Sequence, residues 1–168
     1  MAAAAHAAAP ALTVSNGTPV PDAGLAGPAA VPSAVIDTNI WLDLYVFADP
    51  AAQALAEALA SGAVRAIRSS ATDAELRHVL ARPAFAARIG ASGPELLAAW
   101  EALAHPIAPR GAAPWTCTDP DDQKFLDLAY SAGAAFLFTK DRALLRLARR
   151  ALGAGLAIRQ PRDFVAPG

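Results

Sequence analysis

From residue 34 onward, short apolar runs of strand length alternate with stretches that have helical periodicity. This alternation is typical of α/β domains, in which helices pack on a parallel sheet. The predicted strands are 34–37, 64–68, 136–139 and 156–159. The predicted helices are 39–46, 50–60, 72–81, 85–89, 94–104, 120–131 and 142–152, followed by a turn at 161–165. The sequence therefore predicts an α/β domain with a central parallel sheet.

The first 33 residues differ from the rest in composition. They are rich in Ala, Pro, Gly and Ser, and five prolines interrupt any long helix there. We therefore expect residues 1–33 to form a disordered or loosely attached extension, and residues 34–168 to form the domain.

Three sequence features bear on the compartment. The apolar start lacks the basic residues of a signal peptide, and no apolar run is long enough to span a membrane. Cys117 is the only cysteine, so no intrachain disulfide can form and a reducing compartment is favoured. We expect a cytoplasmic protein with no membrane partner.

Charge is unevenly distributed along the chain, although the formal net charge is only −1. Between residues 140 and 162 a single acidic residue, Asp141, stands among seven basic ones: Lys140, Arg142, Arg146, Arg149, Arg150, Arg159 and Arg162. On a continuous helix the spacing i, i+4, i+8 would place Arg142, Arg146 and Arg150 on one face that could follow a nucleic-acid backbone. A solvated helix face is the alternative, and the pattern alone leaves both open.

Four acidic residues have related positions in the predicted topology. Asp37 ends one strand, Asp141 follows another by two residues, Asp122 lies in the first turn of a helix, and Glu75 follows the second strand. The carboxyl ends of parallel strands meet at one edge of the sheet, where ligands bind.

Carboxylates about 5 Å apart would repel by roughly 3 kcal/mol a pair at an effective dielectric of ~20. Hard divalent cations such as Mg²⁺ or Mn²⁺ would neutralise them, and the scattered histidines argue against zinc.

Structural roles for the same residues remain open. Glu75 would close a capping box with Thr72, Asp122 would interact with a helix dipole, and Asp141 would cap the next helix. Asp37 is the hardest to explain in this way, because an unpaired carboxylate at the end of a buried strand is costly.

Other enzyme classes fit the sequence less well. A phosphatase with Asp37 as nucleophile would need a second aspartate where Asn39 stands. A dinucleotide-binding enzyme would need a glycine-rich turn after the first strand. The only similar sequence, Gly153-Ala154-Gly155, precedes a strand instead.

Four motifs in order, covering about residues 34–165, resemble those of PIN-domain nucleases. They are Val35-Ile36-Asp37-Thr38-Asn39, the run that starts Asp73-Ala74-Glu75, the run that starts Asp119-Pro120-Asp121-Asp122, and Phe138-Thr139-Lys140-Asp141. The closing Gln160-Pro161-Arg162-Asp163-Phe164 resembles the subgroup that acts as toxins of toxin–antitoxin pairs.

The resemblance implies a three-layer α/β/α fold and a metal-dependent ribonuclease. Mg²⁺ or Mn²⁺ would be held by Asp37, Glu75, Asp122 and Asp141, while Asn39 and Thr139 would orient the carboxylates or the substrate. Lys140 and Arg142 flank Asp141 and would neutralise charge that develops on RNA. The implied partners are an RNA substrate and a cognate antitoxin protein, and a homodimer is left open. The main alternative is a non-catalytic PIN-like module that binds RNA or protein.

Overall fold

The computed structural model describes residues 30–83 and 93–165, and five parallel strands form its single sheet. The strands are β1 (Ser33–Ile36), β2 (Arg65–Arg68), β3 (His105–Pro106), β4 (Phe136–Phe138) and β5 (Ala157–Arg159). Their order across the sheet is β3-β2-β1-β4-β5. β1 is thus central, and the chain leaves it toward β2 on one side before returning to β4 on the other.

Seven α-helices in the described ranges surround the sheet: α1 (Thr38–Tyr45), α2 (Gln53–Ala60), α3 (Ser70–Leu80), α4 (Gly93–Leu103), α5 (Gln123–Ser131), α6 (Arg142–Leu145) and α7 (Ala148–Leu152). Short 3₁₀ helices at Pro50–Ala52, Pro120–Asp122 and Pro161–Asp163 each begin with proline. No helix in these ranges is long and apolar enough to cross a membrane. The predicted helix 85–89 and most of the predicted extension lie outside the described residues.

The sheet separates two hydrophobic cores, because successive side chains of a strand point to opposite faces. Ala34 and Ile36 belong to the core formed with α1 to α4. Val35 belongs to the other core, which is formed with α5, α6 and α7. The predicted α/β/α fold with its central parallel sheet is confirmed.

The capping box predicted at the start of α3 is wrong. α3 begins at Ser70, and Ser69 caps it: the Ser69 hydroxyl accepts from Thr72 N (3.3 Å), and the Thr72 hydroxyl accepts from Ser69 N (2.9 Å). Thr72 is therefore the third residue of the helix and takes the place that Glu or Gln usually has in this motif. Glu75 lies a turn further on and is not needed for capping.

The basic segment after β4 is two short helices, not the single predicted helix 142–152. Around Leu147 the backbone changes register, since Leu147 N donates to Leu144 O (2.9 Å) and Arg150 N donates to Leu147 O (2.9 Å). These i→i−3 bonds tighten the chain and end α6. Arg142, Arg146 and Arg150 are all exposed, but Arg150 lies on α7, so one continuous helical face does not carry all three.

The edge strand β3 was missed by the sequence analysis. It has only two residues, both exposed, and one is a proline. Its pairing with β2 is extended by a hydrogen bond from Ile107 N to Arg68 O (2.7 Å). Two residues are too few to show the alternation from which strands are predicted.

A buried polar network fixes α3 against β2 and α4. The carboxylate of Asp73 forms an ion pair with Arg68 and accepts from Trp100 Nε1 (3.0 Å). Arg68 Nε also donates to the backbone carbonyl of Ala104 (3.0 Å). Asp73 is therefore a structural residue, and its network holds the helix that carries Glu75.

Two truncated chains test where the domain begins. A chain starting at residue 30 should have a free energy of unfolding within about 0.5 kcal/mol of that of the 168-residue chain, since a Pro- and Ala-rich segment buries little. A chain starting at residue 34 should lose about 2 kcal/mol, at ~1 kcal/mol per hydrogen bond. It lacks the Pro32 and Ser33 carbonyls that accept from Arg65 N and Ala135 N. Urea unfolding measures both values, and a large loss in the first chain would show that the preceding residues pack on the domain.

Candidate active site

Asp37 follows the central strand and is 2% exposed. Its Oδ1 accepts from Asn39 N (3.1 Å), so that it caps α1, and its Oδ2 accepts from the Thr139 hydroxyl (2.6 Å). Burial raises the pKa of Asp37, and these two hydrogen bonds oppose that rise. Asp37 is thus a buried acid whose desolvation is partly compensated by fixed donors.

Thr139 connects Asp37 to Asp141. Its hydroxyl, fully buried, donates to Asp37 and accepts from Asp141 N (2.9 Å). β1 and β4 are neighbours at the point where the strand order reverses, which is where open α/β sheets bind ligands. Asp37 and Asp141 therefore lie at the edge where the topology predicted them.

Asp141 caps α6, which is the structural role that the sequence left open for it. One oxygen, Oδ1, accepts from Ala143 N (2.5 Å) and Leu144 N (3.3 Å). A carboxylate has a second oxygen with its own acceptor sites, so capping by Oδ1 does not exclude another ligand. The cap also fixes the direction of the carboxylate relative to Thr139.

Three aspartates lie together before α5, and they differ in environment. Asp119 caps the 3₁₀ helix through a hydrogen bond from Asp121 N (3.0 Å), and Asp121 is exposed. The Asp122 side chain makes no capping hydrogen bond at the start of α5. Burial, followed by the charges of Asp37, Asp141, Asp119 and Glu75, raises the pKa of Asp122 to about 7. Asp122 is therefore the aspartate of this run whose pKa is raised by the charges of the other three candidate acids, in addition to burial.

Glu75 reaches the cluster from α3 and is paired with Lys124, a residue that the sequence analysis left without a role. The ammonium group of Lys124 forms an ion pair with Glu75 Oε2 and donates to the Asp121 carbonyl. It also lies 5.3 Å from the centre of the Phe125 ring. The motif contains Lys124, but nothing in its spacing indicates that this side chain reaches across to α3.

Lys140, predicted to bind RNA, is held by two carboxylates of its own chain. Its Nζ lies 2.7 Å from Asp43 Oδ2 and 3.0 Å from Asp49 Oδ2. The close ion pair with Asp43 is the main reason why the pKa of Lys140 is raised. Lys140 thus ties the loop carrying Thr139 and Asp141 to the end of α1. Contact of Lys140 and the arginines with RNA remains a prediction.

The carboxylates suit a hard divalent cation in chemistry, since all their donor atoms are oxygens. However, no group of three or more His, Cys, Asp or Glu residues within 30–83 and 93–165 is arranged so that it could hold a metal ion. Three of the four acids instead have partners within the chain: Asp37 with Thr139, Asp141 with backbone amides, and Glu75 with Lys124. Mutual repulsion also favours separation of the four charges.

Comparison with known proteins identifies one family. A family model described as PIN domain matches residues 33–143, about two thirds of the chain. The match includes the four candidate acids and ends within α6. No curated protein matches the chain.

The raised pKa of Asp122 predicts how stability depends on pH when EDTA is present. Between pH 3.8 and about 7 the folded protein holds a proton on Asp122 that the unfolded chain has lost. The folded state then binds more protons, so the contribution of Asp122 to stability falls as pH rises through this window. Asp122→Asn should remove that fall and leave the protein as stable as wild type, or more so, at pH 8. Thermal melts from pH 5 to pH 8 measure the difference.

Asp163→Asn provides the control for this experiment, because the Asp163 side chain is 61% exposed and lies outside the cluster. Its melting profile should follow that of wild type. Indistinguishable profiles for Asp122→Asn and Asp163→Asn would contradict the electrostatic coupling of Asp122 to the other acids.

Proposed function

The chain belongs to the PIN-domain family, whose fold is of the nuclease type, and from this membership we propose that it is a metal-dependent endoribonuclease. Cleavage would occur at the cluster of Asp37, Glu75, Asp122 and Asp141. The observation that carries the proposal is the placement of Asp37 and Asp141 at one edge of the sheet, joined through the Thr139 hydroxyl, in a region that matches the family model. Burial and the charges of the other acids also raise the pKa of Asp122 to about 7. Strongly perturbed acids in a cluster at a topological switch point are typical of functional sites.

The four acids would hold Mg²⁺ or Mn²⁺ together only after they move closer than they lie in the structure, where no three of the described acids are arranged for a metal ion. When bound, such an ion supplies Lewis acidity toward a phosphodiester and acidifies water. The acids must be ionised to bind it, so Asp122 has to release its proton, and binding is favoured above pH 7. Burial of Asp37 limits the water that competes for its carboxylate.

Thr139 would act as the positioning residue of this site. Its hydroxyl fixes one oxygen of Asp37 and the backbone amide of Asp141 at the same time. The backbone N–H of Asn39 donates to Asp37. Asn39 is exposed, so its side chain would be accessible to substrate. Hydrogen-bond partners of this kind orient acidic ligands and exclude other rotamers.

RNA is the proposed substrate because exposed arginines follow Asp141 along the chain. Arg142 follows Asp141 directly, and Arg146 and Arg150 are exposed further along the same segment. Exposed arginines beside an acidic centre can neutralise phosphates while the carboxylates remain free for a cation. The break between α6 and α7 means that these arginines would contact the backbone from two short helices.

An RNA-cleavage assay with matched variants tests the proposal. Asp37→Asn and Asp122→Asn should lower the Mn²⁺-dependent rate by at least about 100-fold, and Thr139→Val, which removes only a positioning hydroxyl, by about 10- to 100-fold. Thr139→Ser keeps the hydroxyl and should retain most activity, as should the surface control Asp163→Asn. EDTA should stop cleavage by wild type.

Two results would contradict this function. Equal cleavage by wild type and Asp37→Asn would place the activity elsewhere, or in a contaminant that copurifies. RNA binding by wild type without any cleavage in Mg²⁺ or Mn²⁺ would instead identify a non-catalytic RNA-binding module.

We further propose that the enzyme is the toxin of a toxin–antitoxin pair and acts in the cytoplasm. This role is supported by the resemblance of residues 160–164 to the toxin subgroup. Phe164 packs against Phe136 and Phe138, with ring centres 5.7 and 5.3 Å apart, so this closing segment is part of the sheet core. Association of two copies stays a prediction.

Expression in a bacterial host tests the toxin role. Wild type should slow growth, Asp37→Asn should not, and coexpression of a protein encoded beside the gene should restore growth. Normal growth with an active wild-type enzyme would show a ribonuclease that is not a toxin.

A further inference from the structure

The side chain of Lys124 places a positive charge inside the acidic cluster. Both members of the Lys124–Glu75 pair, which joins α5 and α3, are 24% exposed. Arg77 and Glu101, which pair between α3 and α4, are 51% and 40% exposed. An ion pair that is largely removed from water is screened less by solvent than an exposed one. The Lys124 pair therefore acts more strongly on its neighbours than the surface pair does.

Glu75 is the acid through which Lys124 acts on the cluster. Lys124 follows Asp122 by two residues at the start of α5, and its ion pair with Glu75 brings α3 next to this turn. The Lys124 ammonium group contacts Glu75 directly and also donates to the carbonyl of Asp121, beside Asp122. Lys124 thus holds α5 and α3 together at the point where their acids approach.

We propose that Lys124 is a built-in counter-ion of the acidic cluster, which competes with a divalent cation for Glu75. The inference rests on the proposed metal-dependent function and adds a determinant of metal affinity to it. Lys124 neutralises one carboxylate and limits repulsion within the cluster. A divalent cation coordinated by Glu75 would have to take the place of the ammonium group, because both cannot occupy the same oxygen.

Competition predicts opposite effects on stability and on metal affinity. Lys124→Met keeps a long apolar side chain beside Phe125 but removes the charge. In EDTA this variant should melt below wild type, because Glu75 has lost its partner. It should bind Mn²⁺ at least about tenfold more tightly. The reason is that an ammonium group and a divalent cation bound to the same carboxylate repel each other by more than the ~1.4 kcal/mol that a tenfold change in affinity requires.

Mn²⁺ titration by calorimetry and by thermal melts gives both quantities without an activity assay. Lys124→Arg keeps the charge and should stay within about threefold of wild type in Mn²⁺ affinity. Arg77→Met removes an exposed cation from α3, the helix that carries Glu75, and should not change that affinity. In a Glu75→Gln background, Lys124→Met should no longer tighten Mn²⁺ binding, because the carboxylate for which they compete is gone.

The outcomes separate this inference from the proposed function. Equal or weaker Mn²⁺ binding by Lys124→Met, with Mn²⁺-dependent RNA cleavage by wild type intact, would overturn the inference and leave the function standing. If neither protein binds Mn²⁺, the inference and the metal-dependent function both fail.

A measurement on wild type covers the case in which Lys124→Met does not fold. In EDTA, the ¹⁵N resonance of the Lys124 ammonium group should show slower hydrogen exchange than that of exposed lysines, because the ion pair with Glu75 is only 24% exposed. Saturating Mg²⁺ should release the group, so that its signal broadens or shifts to that of exposed lysines. A signal that saturating Mg²⁺ leaves unchanged would overturn the inference.

Discussion

The hydrogen bond from Thr139 to Asp37 is the contact on which the arrangement of the site depends. An ionised carboxylate at the end of a central strand is costly to bury, and this bond offsets part of that cost. The Asp37 amide donates to the Phe138 carbonyl (3.0 Å), which fixes the register of β1 and β4 just before the two side chains meet. Sheet pairing and the geometry of the candidate active site are therefore set by the same two chain segments.

The remaining acids are accommodated by different means, because four negative charges cannot simply be placed together. Asp141 directs one oxygen to the N-terminus of α6, where backbone amides favour negative charge. Glu75 is neutralised by Lys124, and Asp122 keeps a proton up to about pH 7. Proton release from Asp122 and displacement of Lys124 are thus the two events that would prepare the cluster for a divalent cation.

Sequence reasoning could predict those parts of the molecule that follow from local pattern and sheet topology. The parallel sheet and the shared edge of Asp37 and Asp141 are of this kind, because carboxyl ends of parallel strands must meet. It could not predict the Lys124–Glu75 pair, since that contact depends on how α3 and α5 pack. It also misjudged the start of α3, where Ser69 and Thr72 satisfy each other's backbone groups, and the break at Leu147, where a local change of hydrogen bonding has no strong signal in the sequence.

A crystal structure of the protein soaked in Mn²⁺, with an anomalous difference map, tests the central proposal most directly. A metal-dependent nuclease centre predicts a strong anomalous peak among Asp37, Glu75, Asp122 and Asp141, at roughly 2.0–2.2 Å from their oxygens, with the Lys124 ammonium group withdrawn from Glu75. The contrary result is a crystal of active enzyme, soaked under conditions that support cleavage, in which Mn²⁺ binds only elsewhere and Lys124 remains on Glu75.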